Sequence, residues 1–571
     1  VALVSVAVPA AAAAAHTGAG TSHAAGITGG RMTLHRVGTA DLRALARADA
    51  RRAKAPSVSK HRLTPLGLPP WAAKAHGPAT HVASGGRRTG FAPGNVAGAH
   101  AFDGITATIN AANNPALGDV SPPDQGLAAG PSSAGTAIVE FVNQSLNIYA
   151  PSGKTLLGAI PAYQVFAQPS SAFLSDPRAY WDPQTRHWFL AMFIAGDGNT
   201  APLSTQYVAV SQTTSPFGPY SVFSIDTSDR GNKTGACPCF GDYDQVGADN
   251  TGFYIATNEF SVDGPNFNGS VLYAVSKHGL ISAAQGLAPA PAVQSYHVKP
   301  ASDSFAAYHL SPSSVTQGAQ SPDTEYFVES NANANYGSAL KVYALLNTSA
   351  LAGGGRPALV KTTVATESYS SPPNALQKSG PYPYGHSLHQ SGVGQLQTDF
   401  DAVQEVTYAG GLLYAELSTG FNSGTGQSSG AAWFVLRPAA HASSVGATLV
   451  SDGKLLTSQA LLYPVIGVNA SGHGYLNFAV SGVGRYPSTG YVAFDGTKGP
   501  SGSVHVSGHG ANPLDDFTCY PPFSAGSCRY GDYSMAQYYN GSIYMASEYV
   551  APQPRDQFSN WGTRVWYAPV P

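Results

Sequence analysis

Charged side chains are scarce: Asp, Glu, Lys and Arg make up 11% of the 571 residues, less than half the usual ~25%. Methionine (4), cysteine (4) and tryptophan (6) are also few. So little charge excludes a coiled coil, a helix bundle and a charged disordered chain. No apolar run of about 18 residues occurs beyond the first stretch, which excludes a later membrane-spanning helix. Phosphate-cradling glycine loops are missing, and no Gly-x-Ser-x-Gly nucleophile elbow stands in a strand–helix context.

What is abundant is turn chemistry. The chain has 64 Gly and 42 Pro, nearly a fifth of its length, together with 30 Tyr. Short strands joined by many tight turns fit that composition. The net charge of −2 hides an asymmetry: 12 basic against 2 acidic residues over 1–100, and 18 against 30 in the rest. An acidic body repels nucleic acid, so no nucleic-acid partner is expected. Residues 1–15, an apolar stretch ending in six Ala, read as the remnant of a secretory signal cleaved near Ala15. Residues 16–101 read as a basic, low-complexity, largely disordered segment or linker, with one short helix over 39–54. An extracellular, secreted location without a membrane span follows. Four cysteines fit that compartment. Cys519 and Cys528 are expected to close a small loop, while a bond between Cys237 and Cys239 makes a tight ring, so that pair stays open between a disulfide and other states.

From Phe102 onward Tyr, Phe, Val and Ile recur in alternation. Gly-Asp-Tyr at 241–243 leads to AsnThrGlyPheTyrIleAlaThrAsnGluPhe at 250–260. The same tripeptide at 531–533 leads to AsnGlySerIleTyrMetAlaSerGluTyr at 540–549. Each copy reads as a β-hairpin opened by an Asp. Weaker copies bring the units to seven, starting near 124, 176, 242, 323, 399, 463 and 531, roughly 68 residues apart. The fold class is therefore all-β: a single β-propeller over 102–571, seven-bladed, with six or eight as the neighbouring counts. Residues 102–120 are expected to pair with 561–571 and close the ring.

Several stretches carry a resemblance: PheAspGlyIleThrAla (102–107), ProProAspGlnGlyLeuAlaAlaGly (122–130), CysProCysPheGlyAspTyrAspGlnValGlyAlaAsp (237–249), GluTyrPheValGluSerAsn (325–331) and TyrGlyAspTyrSerMetAla (530–536). Through them the chain resembles a family of secreted bacterial proteins of unknown function. The resemblance implies a propeller fold and an exported location, and no catalytic residue.

Asp124, Asp176, Asp242, Asp399 and Asp532 open successive units, and equivalent positions in a propeller share one ring around the axis. That pattern suits a structural calcium ion, a sugar-hydroxyl site or acid/base pairs. Its plain alternative is that each Asp ties its own turn or neighbouring blades. Glu259 and Glu548 end equivalent strands and are the candidates for a glycosidase carboxylate pair. His386 and His389 have the spacing of a shared metal site, and Tyr384 with His386 that of a lyase acid/base pair. Tyr180, Trp181, Trp188, Tyr533, Trp561 and Trp566 are aromatics that stack on sugars or pack between blades. The expected protein is a monomer that binds a glycan or cell-envelope polymer at its funnel. The alternative is a carbohydrate-active enzyme, glycoside hydrolase or polysaccharide lyase.

Overall fold

A computed structural model describes residues 27–52, 85–195, 204–229, 237–262, 266–299, 307–319, 322–331, 336–398, 400–424, 426–524 and 526–571. The 1–15 stretch read as a signal remnant lies outside them. Strands dominate, at 54% against 8% helix. They form consecutive four-stranded antiparallel meanders, spanning 126–161, 174–226, 239–298, 311–369, 406–456, 460–508 and 535–569. The last of these has three strands of its own and takes His100–Thr106 as its fourth, antiparallel to Gly562–Pro569. The rest of the stretch expected to close the ring does not pair: it is the helix Ala107–Asn113 and the irregular run 114–120.

Strand periodicity explains how the sheets stack. Successive side chains of a strand point to opposite faces, so one strand feeds two neighbouring cores. In Gly252–Ser261, Phe253 and Ile255 pack with Tyr180, Phe189 and Val208 of the preceding sheet. Tyr254 and Ala256 face the other way, onto Phe327 and Tyr343 of the following sheet. The same two-sided burial recurs round the molecule. Leu127, Ala129 and Ile138 of the first sheet meet Met535, Tyr544 and Val565 of the last, which completes the circuit. The fold is a β-propeller. Its central strands are buried on both faces, so the alternation expected of half-exposed strands gives way to nearly continuous burial.

The innermost strands of all the sheets run side by side around one axis. Leu127, Ala179, Val246, Ser314, Thr407, Gly467 and Ala536, one from each, line a narrow central channel. In the fourth sheet the innermost strand is Ser311–Val315, so the unit start near 323 falls on the second strand, Thr324–Ser330. The sequence SerProSerSerVal has no apolar alternation to mark it.

The segment read as a linker is laid along the outside. Arg31–Thr33 adds to Ala292–Val298 of the third sheet, and His35–Ala40 to Tyr220–Asp226 of the second. The helix Leu42–Arg52 follows, with Leu42 in the core shared by the first and second sheets. Arg87–Arg88 and Phe91–Ala92 then add parallel to the outer strands of the fifth and sixth sheets. Outer edges that would otherwise offer unpaired N–H and C=O groups are thereby covered. Too few large apolar residues stand in this segment to signal strands, because backbone pairing on an existing edge does not require them.

Candidate functional site

The site is built where each innermost strand begins. Several of these strands open on a non-glycine residue in the left-handed region: Asp124 (φ 43°), Asp176 (φ 56°), Tyr243 (φ 54°), His309 (φ 59°) and Tyr463 (φ 49°). The ladder shifts register at Ser175/Arg178, Asp242/Gln245 and Leu462/Val465. Such bulges re-aim side chains toward the axis. Tyr243, and not Asp242, occupies the left-handed position of its strand.

Four of the five ring aspartates come together there: Asp124, Asp176, Asp242 and Asp532, each no more than 6% exposed. Asp399 lies outside the described residues. Asp124 accepts from Asn143 Nδ2 (2.6 Å) and from the Asp532 backbone N–H (2.9 Å). Asp176 accepts from Tyr533 OH at 2.7 Å, and Asp532 from Tyr243 OH at 3.1 Å. Arg529 pairs with Asp532. Arg178 donates through Nε to the Asp244 carbonyl (2.7 Å), reaches Glu405 at 3.4 Å and lies 3.7 Å over the Tyr533 ring. These bonds cross between sheets and tie the strand openings to one another.

Electrostatics follow from geometry. Five carboxyls, with Asp244 as the fifth, share the region with the guanidiniums of Arg178 and Arg529. Burial, then the neighbouring carboxylates, push Asp124 and Asp242 well above the usual carboxylate range. Asp244 moves the same way by burial and by Asp176. Burial raises Asp532 to about 6 against the pull of Arg529. Burial also lowers the His309 imidazole to about 3, keeping it neutral. Burial thus disfavours the ionised form of these carboxyls, most strongly at Asp124, Asp242 and Asp244.

The glutamates form a second layer. Glu548 accepts from the Gly531 N–H at 2.5 Å, and a Cβ on Gly531 would stand 2.9 Å from that carboxylate oxygen. Gly241 is likewise cross-strand partner to Glu259, which accepts from Thr257 Oγ1 at 2.7 Å. This explains the Gly-Asp-Tyr…Glu echo: glycine leaves room for a glutamate from the next strand. Burial raises Glu259 to about 8 and Glu548 well above its usual range.

His386, in the helix Pro383–Ser387, and His389 are exposed. The ring beside His386 is Tyr382 (6.3 Å), whereas Tyr384 packs against Tyr520 and Phe558. Among the described residues no three His, Cys, Asp or Glu are grouped as a metal-ligand set. The two cysteine pairs, Cys237–Cys239 and Cys519–Cys528, are disulfides. Trp181, Trp188, Trp561 and Trp566 are buried packing residues, and Tyr180 and Tyr533 are nearly so. Arg178, Arg529 and Asp244 were not singled out by the sequence. The signals were present as AspProArg at 176–178 and ArgTyrGlyAspTyr at 529–533.

The channel holds only about 60 Å³, room for a few waters. At its other end, where the strands finish, Asp182, Gln184, Asp249, Asn250, Thr316 and Gln317 line a cavity of about 240 Å³. Gln317 accepts there from the backbone N–H of Asn540, which spans from the fourth sheet to the last.

No protein-family model and no curated protein matches the chain. Among solved structures it is similar to an exo-beta-1,3-galactanase of Phanerochaete chrysosporium, at 9% identity over 82% of this chain and 96% of that one, TM-score 0.27. An exo-beta-1,3-galactanase of Clostridium thermocellum matches at 10% identity over 83% and 100%, TM-score 0.28. Trypanosoma rangeli sialidase matches at 12% over 84% of this chain and 59% of its own length, TM-score 0.29. Likenesses this distant carry no residue and no activity to this chain.

Proposed function

We propose that this is an exported, monomeric propeller that binds a glycan or cell-envelope polymer at the end of the channel remote from the aspartates. The observation that carries it is the 240 Å³ cavity and its polar lining. That volume lies just under the range of about 300–1,000 Å³ usual for small-molecule clefts, and it suits one sugar residue of a longer chain. Gln184, Asn250, Thr316 and Gln317 offer both donors and acceptors, as polyol recognition requires. At the aspartate end the carboxyls are engaged with backbone N–H groups and with Asn, Tyr and Arg partners. Export accords with the two disulfides and with the finding that no helix among the described residues is long and apolar enough to cross a membrane.

A second reading, a glycoside hydrolase, is favoured by one observation: close carboxyls whose burial keeps them protonated, as a general acid requires. A glycan array beside a polysaccharide degradation screen separates the two. Binding without product, weakened at least about tenfold by Asn250→Ala with Gln317→Ala, supports the binding protein. Product release abolished by Asp176→Asn and retained in the Asn250/Gln317 variant supports the hydrolase. Melting curves with calcium and with EDTA, run alongside, report whether the aspartates hold a cation.

A further inference from the structure

The Cys237–Cys239 disulfide is asymmetric in the features that govern thiol–disulfide exchange. Cys237 is partly exposed, whereas Cys239 is fully buried. The Asn268 side-chain N–H points at Cys239 Sγ from 3.2 Å. On the other side, Asp229 Oδ2 lies 3.8 Å from Cys237 Sγ and 3.3 Å from His297 Nδ1. Cys237 is the more accessible of the two residues, Cys239 has a side-chain donor at its sulfur, and an Asp/His pair stands beside Cys237. Cys519–Cys528 offers a contrast in access: both residues are buried, with the Leu514 carbonyl facing both sulfurs and Gln377 Nε2 3.9 Å from Cys528 Sγ.

We infer that Cys237–Cys239 is an exchange centre for thiols, either small thiols or the thiols of a partner protein. An incoming thiol RSH gives up its proton to the Asp229/His297 pair, and its sulfur attacks Cys237 Sγ. The S–S bond breaks, its electron pair leaves on Cys239, and the Asn268 N–H stabilises that thiolate until it takes a proton from water. The product is a mixed disulfide, R–S–S–Cys237. A second RSH then attacks the R sulfur, releasing RSSR and the Cys237 thiol. In total two thiols are oxidised to one disulfide and the protein disulfide is reduced to two thiols. The direction reverses when the surroundings oxidise. Which sulfur is attacked and which leaves follows from access and from leaving-group stabilisation, both read directly from the geometry.

The test uses the full-length protein in a series of reduced and oxidised glutathione mixtures, quenched by alkylation and mapped by peptide mass. Cys237 and Cys239 are expected to exchange while Cys519 and Cys528 stay protected, with the glutathione adduct on Cys237. Cys239→Ser should hold that adduct stably. Asn268→Leu should slow exchange by about three- to tenfold at an unchanged melting temperature. Equal resistance of the two disulfides, or an adduct found on Cys239, would overturn the assignment. Adduct mapping on the unmodified protein decides the matter even where a variant fails to fold.

Discussion

Glu140 is the residue on which ring closure can be tested quantitatively. It stands on Gly135–Val142 of the first sheet, is fully buried, and reaches both strands that close the circuit. Its Oε2 accepts from the Ile105 N–H and from Tyr149 OH, each at 3.0 Å. Its Oε1 lies 2.5 Å from Thr563 Oγ1, which is also 2.9 Å from the Ile105 carbonyl. A hydroxyl has one proton. Thr563 satisfies the carbonyl if Glu140 is protonated and donates to Thr563. Burial raises Glu140 from 4.5 to about 7, in agreement with that arrangement. A raised value in the folded state means stability is greatest below the unfolded value and is lost as pH rises through about 7. At ~1.36 kcal/mol per unit, the loss approaches about 3 kcal/mol, of which roughly 2–3 falls between pH 5 and pH 8. Glu140→Gln keeps an acceptor for Ile105 and Tyr149 and a donor for Thr563, and it does not titrate. Urea melts followed by tryptophan fluorescence should therefore show a pH 5 to pH 8 loss smaller by about 2 kcal/mol in this variant than in the parent. Parallel losses in the two proteins would refute a proton on Glu140.

Three further outcomes follow from the same geometry. Lys277, buried, donates to Asp182 and Gln184 (both 3.1 Å) and to the Asp249 carbonyl (2.5 Å), joining the second and third sheets. Lys277→Met should cost about 3–5 kcal/mol in a thermal melt, with partial recovery when Asp182→Leu is added. Arg529 holds down the carboxyls of Asp124, Asp242 and Asp532. Without it they rise further, so Arg529→Gln should destabilise more at pH 8 than at pH 5, read from melting temperatures at both. A chain starting at Gly85 uncovers the outer edges at Tyr220–Asp226 and Ala292–Val298. It should stay folded yet self-associate in light scattering, whereas the full chain does not.

The features most legible in the sequence are those where local chemistry and tertiary role coincide. Gly-Asp-Tyr followed by a hairpin ending in Glu repeats at 241 and 531 because each glycine makes room for the glutamate of its own hairpin, while Tyr243 and Tyr533 reach Asp532 and Asp176 of other units. The convergence of Asp124, Asp176, Asp242 and Asp532 was legible for the same reason. Other parts lacked a local signature. Arg31–Thr33 and His35–Ala40 are strands because an edge was available to pair with, and their own residues barely favour one. Ser311–Val315 is polar and still central: Ser311 Oγ donates to the Val403 carbonyl and Ser313 Oγ to Glu325, while Ser314 and Val315 line the channel. Asp244 and Asp242 flank Tyr243, and periodicity alone could not say that a bulge turns both into one cluster. Arg178 serves partners on the third and fifth sheets, separated from it by 66 and 227 positions, and no local pattern encodes such a reach.

The two ends of the channel differ in what their polar groups are committed to, and this bears on where a ligand belongs. At the strand openings the polar groups bind across sheets. Asn143 serves Asp124 and the Asp176 N–H, Tyr533 serves Asp176, Tyr243 serves Asp532, and Arg178 serves Asp244. A ligand entering there must replace bonds that hold the ring together. At the strand ends the partnerships are mostly local. Asp249 accepts from the N–H groups of Thr251 and Gly252, and Asp182 from that of Thr185. The rim is tied across sheets as well: Lys277 of the third sheet donates to Asp182 and Gln184 of the second, and Thr348 of the fourth donates to Asp249. A ligand there must compete with the Lys277–Gln184, Thr316–Val468 and Asn540–Gln317 bonds, while the carboxylates keep their turn partners. Each neutral hydrogen bond replaced there costs about 1 kcal/mol, whereas entry at the aspartates exposes several buried carboxyls. The proposed placement of a ligand at the strand ends rests on the larger cavity there and on leaving the buried carboxyls of the strand openings undisturbed.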